Sequence, residues 1–232
     1  MKDALITIIT PTTGKKSLYR LIDSLNRQGV SYRHLVLWDD KREDDFLYPD
    51  GEWAVKTPCE MESENRQSIV LKGRFVKGKA YGSSLRAVGL MIADTPYVTF
   101  ADDDVWYEDE HLKNLLETVK EKQWGYCRRK IWKKTNGALQ YLGIDNFESV
   151  GDSPERKVPY EMVDNNVMVF SRRFGSSAAV LYRETEGYND DRLMYEFLKK
   201  HAGEPGKSTK ATVNQICPLK LVEMFEKCCT KE

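Results

Sequence analysis

The chain has 232 residues, 41% of them hydrophobic, and 36 basic against 36 acidic side chains give a formal net charge of zero. That is enough chain for one large domain and enough apolar content to exclude global disorder. The balanced charge argues against a nucleic-acid binder that works through bulk charge.

The N-terminal apolar run is too short for a secretory signal or a membrane span, which predicts a soluble, cytoplasmic protein. The five cysteines (Cys59, Cys127, Cys217, Cys228, Cys229) contain no C-x-x-C pair and do not suggest a disulfide framework. With only three histidines, a zinc site is not expected either.

Ala4 to Thr10 (ALITIIT) predicts a buried strand. Leu18, Leu21, Ile22 and Leu25 follow at helical spacing, with Gly29 as the stop. His34 to Trp38 is a second strand ending in Asp39 and Asp40, so the chain opens as a strand–helix–strand unit of the right-handed parallel kind. From Lys41 to about Gln67 the polar sequence carries Pro49, Gly51 and Pro58, which predicts a long loop or lid. Ser68 to Leu71 is a short strand. Leu85, Val88 and Ile92 mark one face of a helix capped by Ser83 or Ser84. A strand over Tyr97–Phe100 comes next, then an acidic stretch and a helix from about His111 to Lys122.

The second half changes character. Two strand-like runs flank Asn136-Gly137, a hairpin signal. Residues 145–159 predict a loop, and NVMVF (166–170) and SAAVLY (177–182) predict strands. DRLMYEFLKKHAG reads as a helix closing at Gly203, residues 203–210 as a flexible linker, and 219–229 as a last amphipathic helix. Alternating strands and helices followed by hairpins and loops predict an α/β fold with a mixed sheet.

TPTTGKKS (Thr10–Ser17) lies at the first strand-to-helix turn and invites a phosphate-loop reading. It fails, because the first glycine of such a loop would fall at Ile9. A threonine-rich turn remains, placed either to touch a ligand at the carboxyl ends of the strands or to cap the helix through Thr13 or Ser17.

Asp102, Asp103 and Asp104 end the Tyr97–Phe100 strand, and no Lys or Arg follows until Lys113. Two unit charges about 4 Å apart repel by about 1 kcal/mol in water and about 4 kcal/mol at an effective dielectric near 20. The cluster therefore needs hydration, protonation or a counterion. An EF-hand is excluded, since Trp106 stands where the third oxygen ligand belongs and no glycine follows. A phosphatase of the haloacid-dehalogenase type also places Asp-x-Asp after a strand. It wants Thr or Val where Trp106 stands, and it is the chemically distinct rival, with Asp102 as nucleophile. Oxygen-only ligation by Asp102 and Asp104 suits Mg2+ or Mn2+ carrying a substrate diphosphate.

Together, ITIITPTTGKKSLYRLIDSLNRQ, the acidic pair closing HLVLWDD, and GSSLRAVGLMIADTPYVTFADDDVW resemble the nucleotide-sugar-binding half of GT-A-fold family 2 glycosyltransferases, over about residues 4–116. The compact length resembles the small GT-A domains encoded by large algal viruses. What the resemblance implies is one GT-A-like α/β domain over 1–232. A Rossmann-like nucleotide-binding half (about 1–116) with a mixed central sheet would precede an acceptor-binding half (about 117–232) with a C-terminal helix. It also implies transfer of a single sugar from a nucleoside-diphosphate sugar, UDP favoured, to a hydroxyl of a glycan or other acceptor, with inversion and with Mn2+ or Mg2+.

On that resemblance Pro11, Thr12 and Thr13 line the nucleoside pocket, and Asp39 or Asp40 accepts a hydrogen bond from the base. Arg86 falls at the arginine of the family's Ala-Arg-Asn segment and would approach the nucleotide or diphosphate, against a simple surface salt bridge. Asp102 reaches the ribose or the metal's water shell, Asp103 belongs to the same nucleotide-binding group, and Asp104 ligates the metal. Two positions depart from the family pattern: Ala87 replaces the Asn of that segment, and Lys41-Arg42 replaces the Gly-Ser after the first acidic pair.

GYNDDRLMYEFL resembles the acidic segment of inverting members. It makes Asp191 the first candidate base and Asp190 the second, against a simple N-cap and first-turn pair. Residues 174–184 would floor the acceptor site, and the absence of Q-x-x-R-W favours single-sugar transfer. Leu221, Val222, Phe225 and Cys228 or Cys229 give the last helix an apolar face for core or oligomer packing. Glu223 and Glu226 oppose anionic lipid, so any membrane association is peripheral. A non-catalytic nucleotide-sugar-binding module on the same fold is the remaining alternative.

Overall fold

A computed structural model of the chain describes residues 3–39, 62–71, 82–152, 161–182 and 189–230. In chain order its elements are β1 (Ile6–Thr12), α1 (Ser17–Asn26), β2 (Tyr32–Asp39), β3 (Arg66–Leu71), α2 (Ser83–Ile92), β4 (Tyr97–Phe100) and β5 (Val105–Tyr107). Then come α3 (His111–Thr118), β6 (Trp124–Thr135), β7 (Ala138–Ile144), β8 (Met168–Ser171), α4 (Gly175–Ala179), α5 (Asp190–Ala202), β9 (Gly206–Ile216) and α6 (Val222–Cys228). The strands form one mixed sheet in the order β3-β2-β1-β4-β8-β6-β9-β5, with β7 paired to β6.

β1 is buried at every position because it lies between β2 and β4, both parallel to it. A strand covered on both faces reads as a near-continuous apolar run, which is why ALITIIT is legible. α1 turns Leu18, Leu21, Ile22 and Leu25 onto the sheet. α2 starts after Gly82, whose φ of 83° is left-handed and whose added Cβ would sit 2.7 Å from Pro11 Cβ. Gly89 lets the same helix press on β1, since a Cβ there would meet Ile9 Cγ2 at 2.4 Å. These two glycines bring α2 against the β1 turn.

From β4 onward the sheet mixes directions: β8 is antiparallel to β4 and β6, while β9 runs parallel to β6 and antiparallel to β5. The β6–β7 hairpin turns at Asn136 and Gly137, both at positive φ, as a two-residue hairpin turn requires. α6 seals the hairpin end, with Phe225 packed among Ile131, Leu142, Phe147 and Cys217.

Several expectations need correction. SAAVLY is not a strand: Gly175–Ala179 is a short helix against α2, where Ala178 is buried and Val180 turns outward. Residues 203–210 are not a loose linker throughout. β9 begins at Gly206, and its polar first half is half exposed along the sheet, which is why its composition resembles a loop. β5 was absent from the sequence reading. Neither Ser83 nor Ser84 caps α2 through its side chain. The expected loop from Lys41 falls outside the described residues up to Met61, as does Cys59, and β3 begins at Arg66 rather than Ser68. Among the described residues no helix is long and apolar enough to cross a membrane.

Candidate active site

β1 and β4 run side by side and in parallel, Ile9 opposite Phe100, so the Thr-rich turn and Asp102–Asp104 emerge together at the carboxyl end of the sheet. The Thr12 hydroxyl donates to Asp103 Oδ2 at 2.7 Å and accepts the Gly14 N–H at 2.9 Å. Lys15 Nζ lies 2.9 Å from Asp103 Oδ1 and 3.6 Å from Asp104 Oδ2. Arg86, on the inward face of α2, is 6% exposed and pairs with Asp102 Oδ1. Asn166 Nδ2 donates to the other oxygen of Asp102 at 3.0 Å.

The crowded carboxylates are therefore partly neutralised by the chain's own cations, from positions far away in sequence. Burial pushes the Asp102 carboxyl up. The Arg86 guanidinium, the Asn166 amide and Lys15 outweigh it and hold the group below its usual range. Asp104 behaves differently. Restricted hydration, with Asp102 and Asp103 adding to it, pushes its pKa up to about 6 against the pull of Lys15. Its backbone carbonyl accepts from Arg20, which stacks on Trp106 with 3.9 Å between guanidinium carbon and ring centre.

Among the described residues no group of three or more His, Cys, Asp or Glu is arranged to hold a metal ion. Mg2+ and Mn2+ commonly take only one or two protein carboxylates and complete their shell with substrate phosphates. Asp104 fits that donor type: its side chain is 42% exposed and has two carboxylate neighbours, Asp102 and Asp103, beside a single lysine. Asp102 fits less directly, since both its oxygens are engaged.

Pro11 packs beneath Gly82, and Thr12 is held by Asp103, so the turn presents Thr13 as its half-buried threonine. Asp39 closes β2 one residue beyond the Thr12–Trp38 register pair, on the strand next to the turn. Asp40 lies outside the described residues.

The acidic pair of α5 divides its labour. Asp190 is 7% exposed and accepts from the Ser83 hydroxyl, which latches the start of α5 to the start of α2. Asp191 Oδ1 accepts the Asn165 N–H at 3.3 Å. Burial and the nearby Asp164 raise the Asp191 carboxyl well above the usual range; Arg86 opposes, while Asp102 and Glu148 add to the rise. No side-chain cap forms at the α5 N-terminus, although both aspartates lie in its first turn.

Near Asp191 lies a charged group that no sequence motif marks. Arg129 on β6, 1% exposed, pairs with Asp145 at 2.7 Å and with Asp164 and Glu148. Asp164, Asn165 and Asn166 precede β8 as a polar triplet within an otherwise apolar stretch, MVDNNVMVF. That interruption of a buried run is the sequence signal that could have found them.

The family model for glycosyl transferase family 2 matches residues 7–139. The chain belongs to glycosyl transferase family 2. This family 2 chain is also similar to solved structures of S. aureus TarS 1-349. The TarS 1-349 structure without a named ligand gives 18% identity and a TM-score of 0.62 over 91% of this chain and 60% of that one. The complex with UDP gives 17% and 0.63 over 97% and 64%, and the complex with UDP-GlcNAc 17% and 0.63 over 92% and 59%. At such identity the likeness establishes the GT-A fold, and the chain spans about three fifths of those structures' length. No curated protein matches the chain.

Family membership removes the phosphatase rival, and the engaged oxygens of Asp102 agree with that. The matched region holds the β1 turn, Arg86 and Asp102–Asp104, and it ends before Asn165 and Asp191. The case for those later residues is geometric.

Proposed function

We propose that this chain transfers a single sugar from a nucleoside-diphosphate sugar, UDP-linked, to a hydroxyl of a glycan or other acceptor, with inversion at the anomeric carbon. The observation that carries this is a convergence: Asp102 from the end of β4 and Asp191 from α5 both bond to one turn, at Asn166 and Asn165. Family 2 membership and the UDP and UDP-GlcNAc complexes of TarS support the donor class.

In this reading Pro11, Thr12, Thr13, Asp39 and Asp40 serve the nucleoside, and Arg86, aimed by Asp102, serves the diphosphate. Asp103 holds Thr12 and Lys15 in place on the same edge. Mn2+ or Mg2+ would be held by Asp104 with Asp102 behind it, and when bound it supplies Lewis-acid stabilisation of negative charge on the leaving group. Asp191 accepts the proton of the acceptor hydroxyl as its oxygen bonds to the anomeric carbon. The bond from that carbon to the diphosphate oxygen breaks, and its electron pair leaves with the diphosphate. Asp190 is the weaker candidate for the base because Ser83 already binds it.

The test is UDP release from a panel of UDP-sugars with manganese, with and without acceptor sugars, run beside UDP affinity. Asp191→Asn is expected to keep UDP affinity and to slow release about 100-fold or more. UDP binding with no release from any donor, unchanged in Asp191→Asn, would instead identify a nucleotide-sugar-binding module.

A further inference from the structure

Asp164, Asn165 and Asn166 occupy the entry to β8, with residues Asn165–Val167 forming a short 3₁₀ turn. The Asn166 side chain is used at every polar atom. Its amide nitrogen donates to Asp102 Oδ2 at 3.0 Å and to Asp164 Oδ1 at 2.8 Å, and its oxygen accepts the Asp102 backbone N–H at 2.6 Å. Asp164 is gripped on its other oxygen by Arg129 and accepts the Asn166 backbone N–H at 2.7 Å. Asn165 offers its backbone N–H to Asp191 and accepts the Tyr182 hydroxyl at 2.9 Å through its side-chain oxygen. Asn165 and Tyr182 are each 2% exposed and Asn166 1%.

A primary amide can give two N–H groups to two different carboxylates while its oxygen accepts a third bond. An aspartate at position 166 would repel both carboxylates. An alanine would leave Asp102 Oδ2 and the Asp102 backbone N–H without this partner, and would leave Asp164 Oδ1 only the backbone N–H of residue 166. The chemistry of the position is thus specific to asparagine, and what it orders is the edge that carries Arg86.

We propose that Asn166 and Asn165 are positioning residues for sugar transfer: Asn166 fixes Asp102, and through it Arg86, on the donor side, while Asn165, held by the Tyr182 hydroxyl, presents its N–H to Asp191 on the acceptor side. One rigid turn then sets the separation between the donor's diphosphate and the base. This rests on the transferase role given to Asp191 above.

Because the two arms act on different steps, they separate kinetically. Asn166→Ala is expected to raise the donor KM and the UDP Kd about tenfold, the cost of one charge-assisted hydrogen bond. Tyr182→Phe keeps the ring that packs on Phe100, 5.4 Å between centres, and removes only the hydroxyl. It is expected to lower kcat about tenfold with donor KM and UDP Kd unchanged. A purely structural turn would lower the thermal midpoint in both variants and leave no such split.

The proposal is overturned if Asn166→Ala binds UDP as the parent does, or if Tyr182→Phe moves UDP Kd as far as kcat. Should Asn166→Ala fail to fold, the split in Tyr182→Phe decides alone. A parent chain that binds UDP but turns over no donor removes the transferase reading instead. The UDP Kd of Asn166→Ala then still decides the donor arm.

Discussion

Two buried acidic regions face each other across the Asn165–Asn166 turn, and they are balanced differently. At the end of β4 the cations are shared out: Asp102 has Arg86, and Asp103 has Lys15 and the Thr12 hydroxyl, with Lys15 also 3.6 Å from Asp104. Near Asp191 a single guanidinium, Arg129, meets Asp145, Glu148 and Asp164. Arg86, Asn166 and Lys15 outweigh burial and hold Asp102 below its ordinary range, while burial, with Asp164 adding to it, raises Asp191 well above it. In the reading proposed above, the Arg86–Asp102 pair suits a place that binds an anion, and the carboxylates around Asp191 suit a place that takes up a proton.

The largest expected effect breaks the Arg129 cluster. Arg129→Met leaves three carboxylates around a buried gap, and removing one partner of a buried ion pair costs about 3–5 kcal/mol. Urea unfolding of this variant should show a loss of that order, and a midpoint equal to the parent's would mean the cluster is not under electrostatic strain.

A smaller effect sharpens the contrast through pH. Asp191 must be ionised to act as base, so kcat should rise with pH through its raised pKa, with the acid limb above the usual carboxylate range. Stability runs the other way: the contribution of this raised group is complete below the unfolded-state value and is lost as pH rises through the folded one. For Asp102, whose pKa is depressed, the contribution is present above the unfolded value and lost as pH falls through the folded one. Glu148→Gln removes one negative neighbour of Asp191 and should move the acid limb of kcat toward lower pH, which a pH–rate profile reads directly.

The smallest effect belongs to the end of β4. Lys15 is 37% exposed, so Lys15→Met should change stability by about 1 kcal/mol or less. The same variant should bind Mn2+ more tightly by calorimetry, because a competing cation has left Asp103 and Asp104. Weaker Mn2+ binding would mean that Lys15 organises the carboxylates for the ion instead.

The first half of the fold was legible because its strands are buried on both faces and its helices carry one apolar stripe, as β1, β2, β4 and α1 show. SAAVLY misled because a short apolar run has no period that separates a strand from a helix, and contact with α2 decided it. The first residues of β9 misled in the opposite sense, since Gly, Lys, Ser and Thr become a strand there only by pairing with β6. At the proposed site, Asp102–Asp104, Arg86 and Asp191 are the residues that family resemblance names. The counterion of Asp103 has no such signal: Lys15 meets it across 88 positions, and no local spacing marks such a pair. Arg129 is the middle of three consecutive basic residues, Arg128-Arg129-Lys130, and its burial against Asp145, Glu148 and Asp164 is a product of the fold.

The most direct measurement is a crystal structure of the chain soaked with UDP and Mn2+. The expected result is a diphosphate against Arg86, a cation beside Asp104, and Asp191 facing the side on which the sugar would sit. A nucleotide ordered elsewhere on the protein, with Arg86 still paired only to Asp102 and no ion at Asp104, would contradict the account.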